Sequence, residues 1–187
     1  MVSDAEQLEE DVIDLIIADH EEFKEQLKDI ANTSGQQRAE IFTAFRRHLI
    51  RHEVSEQEIM WPEAEKVLPN GHALATARKS EEAHGEEALD ELMDLDPDSD
   101  EFNLLFSEFS QDVIDHAAAE ETEVYMPMRT SCEPSRLIEL AQAWKAAEML
   151  APTRPHPDAP KKPVTQLVTG PFVAVVDRIR DAVSARE

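Results

Sequence analysis

The sequence predicts an all-α protein, an antiparallel up-down-up-down four-helix bundle with a C-terminal helical extension. Three observations carry this expectation. Ala, Leu, Glu and other strong helix formers dominate, whereas Gly is held to four residues and aromatics to 5%, a composition poor in the turn glycines and β-branched runs that sheets need. Apolar residues recur every three or four positions through four successive segments, the mark of a helix with one buried face. The connections between those segments are short, which favours antiparallel neighbours. With 187 residues, the chain is long enough for one sizeable core and too short for two ordinary domains plus linkers.

The first stripe is Ile13, Ile16, His20, Phe23, Leu27 and Ile30, closed by the turn cluster Asn32-Thr33-Ser34-Gly35. The second is Phe42, Phe45, Leu49, His52, Glu56 and Ile59, running towards Pro62 and ended by Pro69-Asn70-Gly71. The third is Leu74, Ala77, Glu81, His84, Ala88, Leu92 and Leu95, followed by the acidic turn Asp96-Pro97-Asp98-Ser99. The fourth is Phe102, Phe106, Phe109, Val113, His116, Glu120 and Val124, ending near Pro127 and Cys132-Glu133-Pro134. A fifth, shorter periodic stretch runs from Pro134 to Leu150 and completes a first unit over residues 1–150. Residues 151–163 are too proline-dense for a helix and read as an extended linker. Gly170-Pro171 then opens an amphipathic helix within residues 164–187, with Phe172, Val175, Val176, Ile179 and Val183 on one side. Its packing on the bundle, its role as an extension and a dimer contact remain alternatives, so monomer and homodimer both stand.

Eighteen Lys and Arg against 41 Asp and Glu give a net charge of −23, which repels a nucleic-acid backbone and an anionic membrane surface. No run of 18 apolar residues exists, and the segment MVSDAEQLEE lacks the basic and apolar regions of a secretory signal. A soluble, cytoplasmic protein is the expectation. The single cysteine, Cys132, excludes an intramolecular disulfide framework and a thiolate-rich metal cluster. The seven histidines become the residues to follow.

His20, His52, His84 and His116 are spaced by 32, 32 and 32 residues, and each falls within the apolar stripe of its own helix. His52 and His116 are followed four residues later by Glu56 and Glu120, which places each pair on one helical face. The repeat extends to shape, because Phe42, Phe45, Leu49, His52 and Glu56 correspond at an offset of 64 to Phe106, Phe109, Val113, His116 and Glu120. Four imidazoles and two carboxylates in a bundle core are costly unless paired or bound to metal. Two carboxylates able to bridge, with two histidines for each end, describe a dinuclear site whose ions lie about 3.5–4 Å apart. Nitrogen and oxygen donors without thiolate suit iron, manganese or zinc.

The ferritin-like pattern of Glu-x-x-His on two helices has one match on the inward stripes, Glu81-x-x-His84. Asp19-His20, His52-Glu53-x-x-Glu56, His84 and His116-x-x-x-Glu120 resemble instead the hemerythrin-like HHE cation-binding family, over residues ~10 to 130. Trp61-Pro62 and Tyr125-Met126-Pro127 sit where that family commonly carries an aromatic-proline pair. The resemblance implies a four-helix bundle around two iron ions joined by an oxo or hydroxo bridge. Glu56 and Glu120 would be bridging carboxylates, and His20, His52, His84 and His116 terminal ligands.

The oxygen-carrying members resemble this chain less well. Their third helix holds two histidines four apart, where Ser80 and Ala88 flank His84 here. Their fourth-helix carboxylate falls five residues after its histidine, at the position of Glu121, whereas Glu120 matches in this chain. Fewer histidines leave coordination positions for water, a further carboxylate or a small oxidant. Glu81 and Glu53 are the candidates for that carboxylate and for accepting a proton from peroxide. His48 and Asp19 flank the site, His72 and His156 are expected in solvent, and Met60 and Met126 are expected to pack. The leading functional expectation is a catalase- or peroxidase-like protein that turns over hydrogen peroxide in oxidative-stress defence. The alternatives are a sensor or carrier of dioxygen, nitric oxide or iron, and a bundle that keeps a metal only for folding.

Overall fold

The computed structural model describes residues 10–150, and every regular element among them is a helix. In chain order these are α1 (Val12–Asn32), α2 (Gly35–Ser55), a π-helical turn (Glu56–Met60), α3 (Trp61–Val67), α4 (Gly71–Asp94), α5 (Asp100–Glu120), a second π-helical turn (Glu121–Tyr125), α6 (Met126–Ser131) and α7 (Pro134–Leu150). The expected linker over 151–163 and helix over 164–187 lie outside the described residues.

α1 starts at Asp11, whose carboxylate accepts from the N–H groups of Ile13 at 2.8 Å and Asp14 at 3.1 Å, while Asp14 accepts from the Asp11 N–H. These bonds satisfy donors that a first turn otherwise leaves unpaired. The predicted stripe from Ile13 to Ile30 is buried throughout. The chain then reverses through Thr33 and Ser34 into Gly35, whose φ of +62° is the left-handed conformation glycine tolerates. The Gly35 N–H donates to the Asp98 carboxylate at 2.9 Å. Buried Arg38 donates to the carbonyls of Thr33 at 2.6 Å and Pro97 at 2.7 Å and to Asn103 Oδ1 at 2.9 Å. The α1–α2 and α4–α5 turns are thereby fastened together at one end.

The second and fourth segments run past Pro62 and Pro127 and end just before Pro69-Asn70-Gly71 and Cys132-Glu133-Pro134, the turn clusters the sequence marks. Each yields through a π-helical turn, after which the proline stands in the first turn of α3 or α6. Proline has no N–H and its ring crowds the carbonyl four residues back, so the ladder is interrupted there rather than ended.

The third stripe is out of phase with its expectation. The buried residues of α4 are Gly71, Ala75, Arg78, Glu82, Leu89 and Leu92, not Leu74, Ala77, Glu81, His84 and Ala88. Gly71 sets the rotation. A Cβ there would lie 2.1 Å from the Ala64 carbonyl oxygen, so only glycine permits this approach of α4 to α3. Counting onward by four and three from Gly71 gives 75, 78, 82, 85, 89 and 92, with Gly85 on the same face.

Two apolar clusters fill the interior. One, around Phe23, Phe45, Leu89, Leu92, Phe102 and Phe109, lies towards the α1–α2 turn. The other joins Ile13, Ile16, Met60, Trp61, Tyr125 and Met128 to Leu137, Leu140, Ala141 and Trp144 of α7. The internal repeat is spatial as well as sequential, because Phe42 meets Phe106 and Phe45 meets Phe109 edge to face, with centroids 6.4 and 6.1 Å apart. On α1, α2, α4 and α5 the chain passes from one cluster to the other across His20, His52, Glu82 and His116 respectively. A polar layer therefore separates the clusters.

Candidate metal centre

Within that layer, His20, His52, Glu56 and Glu120 each offer a donor atom, all within 4.8 Å of one another. A second grouping at the same limit contains Glu53, Glu56, Glu82 and His116. Glu56 belongs to both. Glu120 also reaches both sides, with Oε2 3.6 Å from His20 Nε2 and Oε1 3.0 Å from His116 Nε2. Glu56 Oε1 lies 3.2 Å from His52 Nε2, and the His20 and His52 Nε2 atoms are 3.2 Å apart.

Each of these three imidazoles is turned by a carboxylate on its other nitrogen. His20 Nδ1 meets Glu121 Oε1 at 2.9 Å, His52 Nδ1 meets Asp19 Oδ2 at 3.2 Å and His116 Nδ1 meets Glu81 Oε2 at 2.9 Å. With the proton held on Nδ1, the Nε2 lone pair is aimed inward, the arrangement that positions histidine ligands at metal centres. Asp19 serves buried His48 as well, at 3.2 Å. Glu56 is steadied by the hydroxyl of Tyr125, which donates to its Oε1. The Tyr125 ring stacks on Trp61, and Trp61 Nε1 donates to Glu82 Oε1 at 3.0 Å.

The fit to a cation rests on atoms left without hydrogen bonds. Glu56 Oε2, both oxygens of Glu120, Glu53 Oε2 and His116 Nε2 are buried and unpartnered. His116 Nε2 and Glu120 Oε1 lie 3.0 Å apart without making a hydrogen bond, so neither satisfies the other. Buried donors in this state are costly without a positive centre. Electrostatics agree. Burial, reinforced by the Glu56 charge, pushes Glu53 well above the usual carboxylate range and raises Glu82 and Glu120 to about 7. Burial works against charge on His52 and His116, but Glu56 and Asp19 beside His52, and Glu120 beside His116, outweigh it and raise both, His116 to about 11. His20 is lowered, because burial exceeds the help it receives from Glu121.

His20, His52, Glu56, His116, Glu120 and Glu53 are brought together. His84 stands apart. It is exposed, with Nδ1 2.6 Å from the Ser80 carbonyl oxygen, because the phase of α4 turns Glu82 inward instead. Glu81 is likewise turned outward, where it holds His116 and pairs with Arg78 at 3.0 Å. Glu82 had no place among the sequence candidates. Its signal was the spacing of Gly71, Ala75 and Gly85 with Leu89 and Leu92. His72 is exposed as expected, Met60 is fully buried and Met126 is exposed instead of packed.

A cavity of about 640 Å³ between α2, α4 and α5 is lined by His20, His52, Glu53, Glu82, His116 and Glu120 and also by exposed Ser80 and His84. Phe23, Leu49, Leu89, Phe109 and Val113 line its apolar wall. On the opposite side the site is closed by α7, where the Trp144 ring meets His52 edge on.

Among known proteins, residues 11–128 match the family model described as the hemerythrin HHE cation-binding domain. An uncharacterised hemerythrin-like protein of Schizosaccharomyces pombe is 24% identical over 172 residues, covering 91% of this chain and 85% of that protein. No solved structure gives a significant match. The family match spans all the helices that contribute to the polar layer, and the histidine and carboxylate groupings are ones that could hold a cation. The chain belongs to the hemerythrin family of HHE cation-binding domains.

Proposed function

We propose that this chain is a cytoplasmic protein holding two iron ions in an up-down-up-down four-helix bundle and turning over hydrogen peroxide. The supporting observation is the meeting of buried donors from α1, α2, the first π-helical turn and α5 in one polar layer, where atoms of Glu53, Glu56, His116 and Glu120 have no hydrogen-bond partner. His20, His52, Glu56 and Glu120 would hold one ion, and His116 with the same two glutamates would hold part of the shell of the other. Glu56 and Glu120 each reach both sides, as a bridging carboxylate must.

When bound, such a pair supplies Lewis acidity and redox equivalents for peroxide. The chain's own residues do the rest. Asp19, Glu121 and Glu81 hold the imidazole protons on Nδ1. Glu53, with an unpartnered oxygen on the cavity and a raised affinity for protons, is placed to accept and return a proton. The apolar cavity wall and α7 limit water at the site. The remote net charge of −23 does not repel a neutral oxidant.

The test is iron-normalised peroxide loss with oxygen evolution. Sustained turnover is expected, and Glu53→Gln is expected to lower it by more than it lowers iron content. Negligible peroxide loss with an oxygen adduct that forms and releases reversibly would assign a carrier or sensor instead.

A further inference from the structure

The two groupings of donors are chemically unequal. One is built on two imidazoles, His20 and His52; the other has one imidazole, His116, and is otherwise composed of Glu53, Glu56 and Glu82. We propose that Glu82, together with Glu53, completes the second metal position in place of His84, making that position carboxylate-rich and the one that accepts Mn2+. The inference rests on the dinuclear reading above and specifies which residues of this chain distinguish its two halves.

Three observations lead to it. Glu82 lies on the buried face of α4 fixed by the Gly71 approach, whereas His84 is exposed and bonded to its own helix at Ser80. The Glu82 carboxylate is oriented by one donor on each oxygen, Trp61 Nε1 at 3.0 Å and Gln57 Nε2 at 2.5 Å, leaving a lone pair on each for a cation. The same grouping contains fully buried Glu56 as well as Glu53, and the Oε2 atom of each has no hydrogen-bond partner. Oxygen donors favour harder ions, so a carboxylate-rich position with one imidazole suits Mn2+ better than the imidazole-rich one does.

The experiment counts metal in the full chain after anaerobic loading of depleted protein with Fe2+ alone, with Mn2+ alone and with both. It compares wild type, Glu82→Gln, Glu53→Gln and His84→Ala, using elemental analysis and the Mn2+ electron paramagnetic resonance signal. Circular dichroism confirms that each variant is folded. Wild type and His84→Ala are expected to hold about two Fe2+, and after mixed loading about one ion of each kind. Glu82→Gln is expected to keep one Fe2+ and lose the protein-bound Mn2+ signal, with Glu53→Gln weakening it. Two ions retained by folded Glu82→Gln, or one lost from His84→Ala, would overturn the proposal while leaving the dinuclear reading intact. Wild type that holds no more than one ion would overturn the dinuclear reading itself.

Discussion

Trp144 meets His52 edge to face, with ring centroids 5.3 Å apart and planes at 79°. This contact joins a histidine of the polar layer to α7, a helix that lies beyond the family match at residues 11–128. Trp144 is 1% exposed and packs with Leu137, Leu140 and Ala141 against α1 and α2. Trp144→Ala should therefore cost about 3–5 kcal/mol in urea unfolding. It should also perturb the optical bands of the iron-loaded protein, because His52 loses a wall. A stability loss with unchanged spectra would restrict α7 to a packing role.

Asp19 orients both His48 and His52 through its two oxygens, and those partners hold its own affinity for protons low despite burial. Asp19→Asn keeps the shape but removes the charge that holds the imidazole proton on Nδ1. Metal affinity, measured by chelator competition, should fall about 10–100-fold with little change in helix content. Unchanged affinity would show that the His52 ring is held by packing alone.

The two glycines on the buried face of α4 should respond in opposite directions. A methyl group at Gly71 meets the Ala64 carbonyl, and the approach of α4 to α3 leaves it no room. Gly71→Ala should destabilise by about 1–3 kcal/mol or more. A Cβ at Gly85 meets nothing within 4 Å, so Gly85→Ala should stabilise the helix by about 0.5–1 kcal/mol. Equal effects at both positions would contradict the rotation of α4 described here.

Much of this arrangement was legible in the sequence, because helical periodicity survives where a stripe is mostly apolar. The first, second and fourth stripes place His20, His52, Glu56 and Glu120 inside, and the Asn32–Gly35 and Asp96–Ser99 clusters mark real turns. The third stripe misled because its buried face carries Arg78 and Glu82 among small residues, and the close approach at Gly71, not hydrophobicity, sets its phase. The sequence suggests Glu81 as an inward candidate for ligation and passes over Glu121 in favour of Glu120. The value of Glu81 and Glu121 lies in reaching across to a histidine on another helix, a relationship between helices that no single-helix pattern encodes. The π turns are hidden for a related reason, since Pro62 and Pro127 mark a disturbance of the helix but not the π-helical turn through which packing absorbs it.

The α3–α7 junction gives a pH prediction. Glu63 accepts from Arg136 at 2.8 and 3.1 Å, and although burial opposes its charge, this partner holds its carboxyl below the usual range. A carboxyl lowered by folding adds stability above its unfolded value of about 4.5, and that stability is lost as pH falls through the folded value. Glu63→Gln should cost about 2 kcal/mol at pH 7, and the gap from wild type should close as acid protonates Glu63. A gap independent of pH between 7 and 3 would remove the ion pair from the account.

The central claim is that two ions share Glu56 and Glu120. Its most direct measurement is iron per chain in the reconstituted protein and in the single variants Glu56→Ala and Glu120→Ala, with the absorption spectrum recorded on the same samples. The account predicts about two irons per chain in wild type, near-ultraviolet oxo-to-iron bands, and loss of most iron in each variant, because a shared carboxylate has no local substitute. A full complement of iron in both folded variants would contradict it.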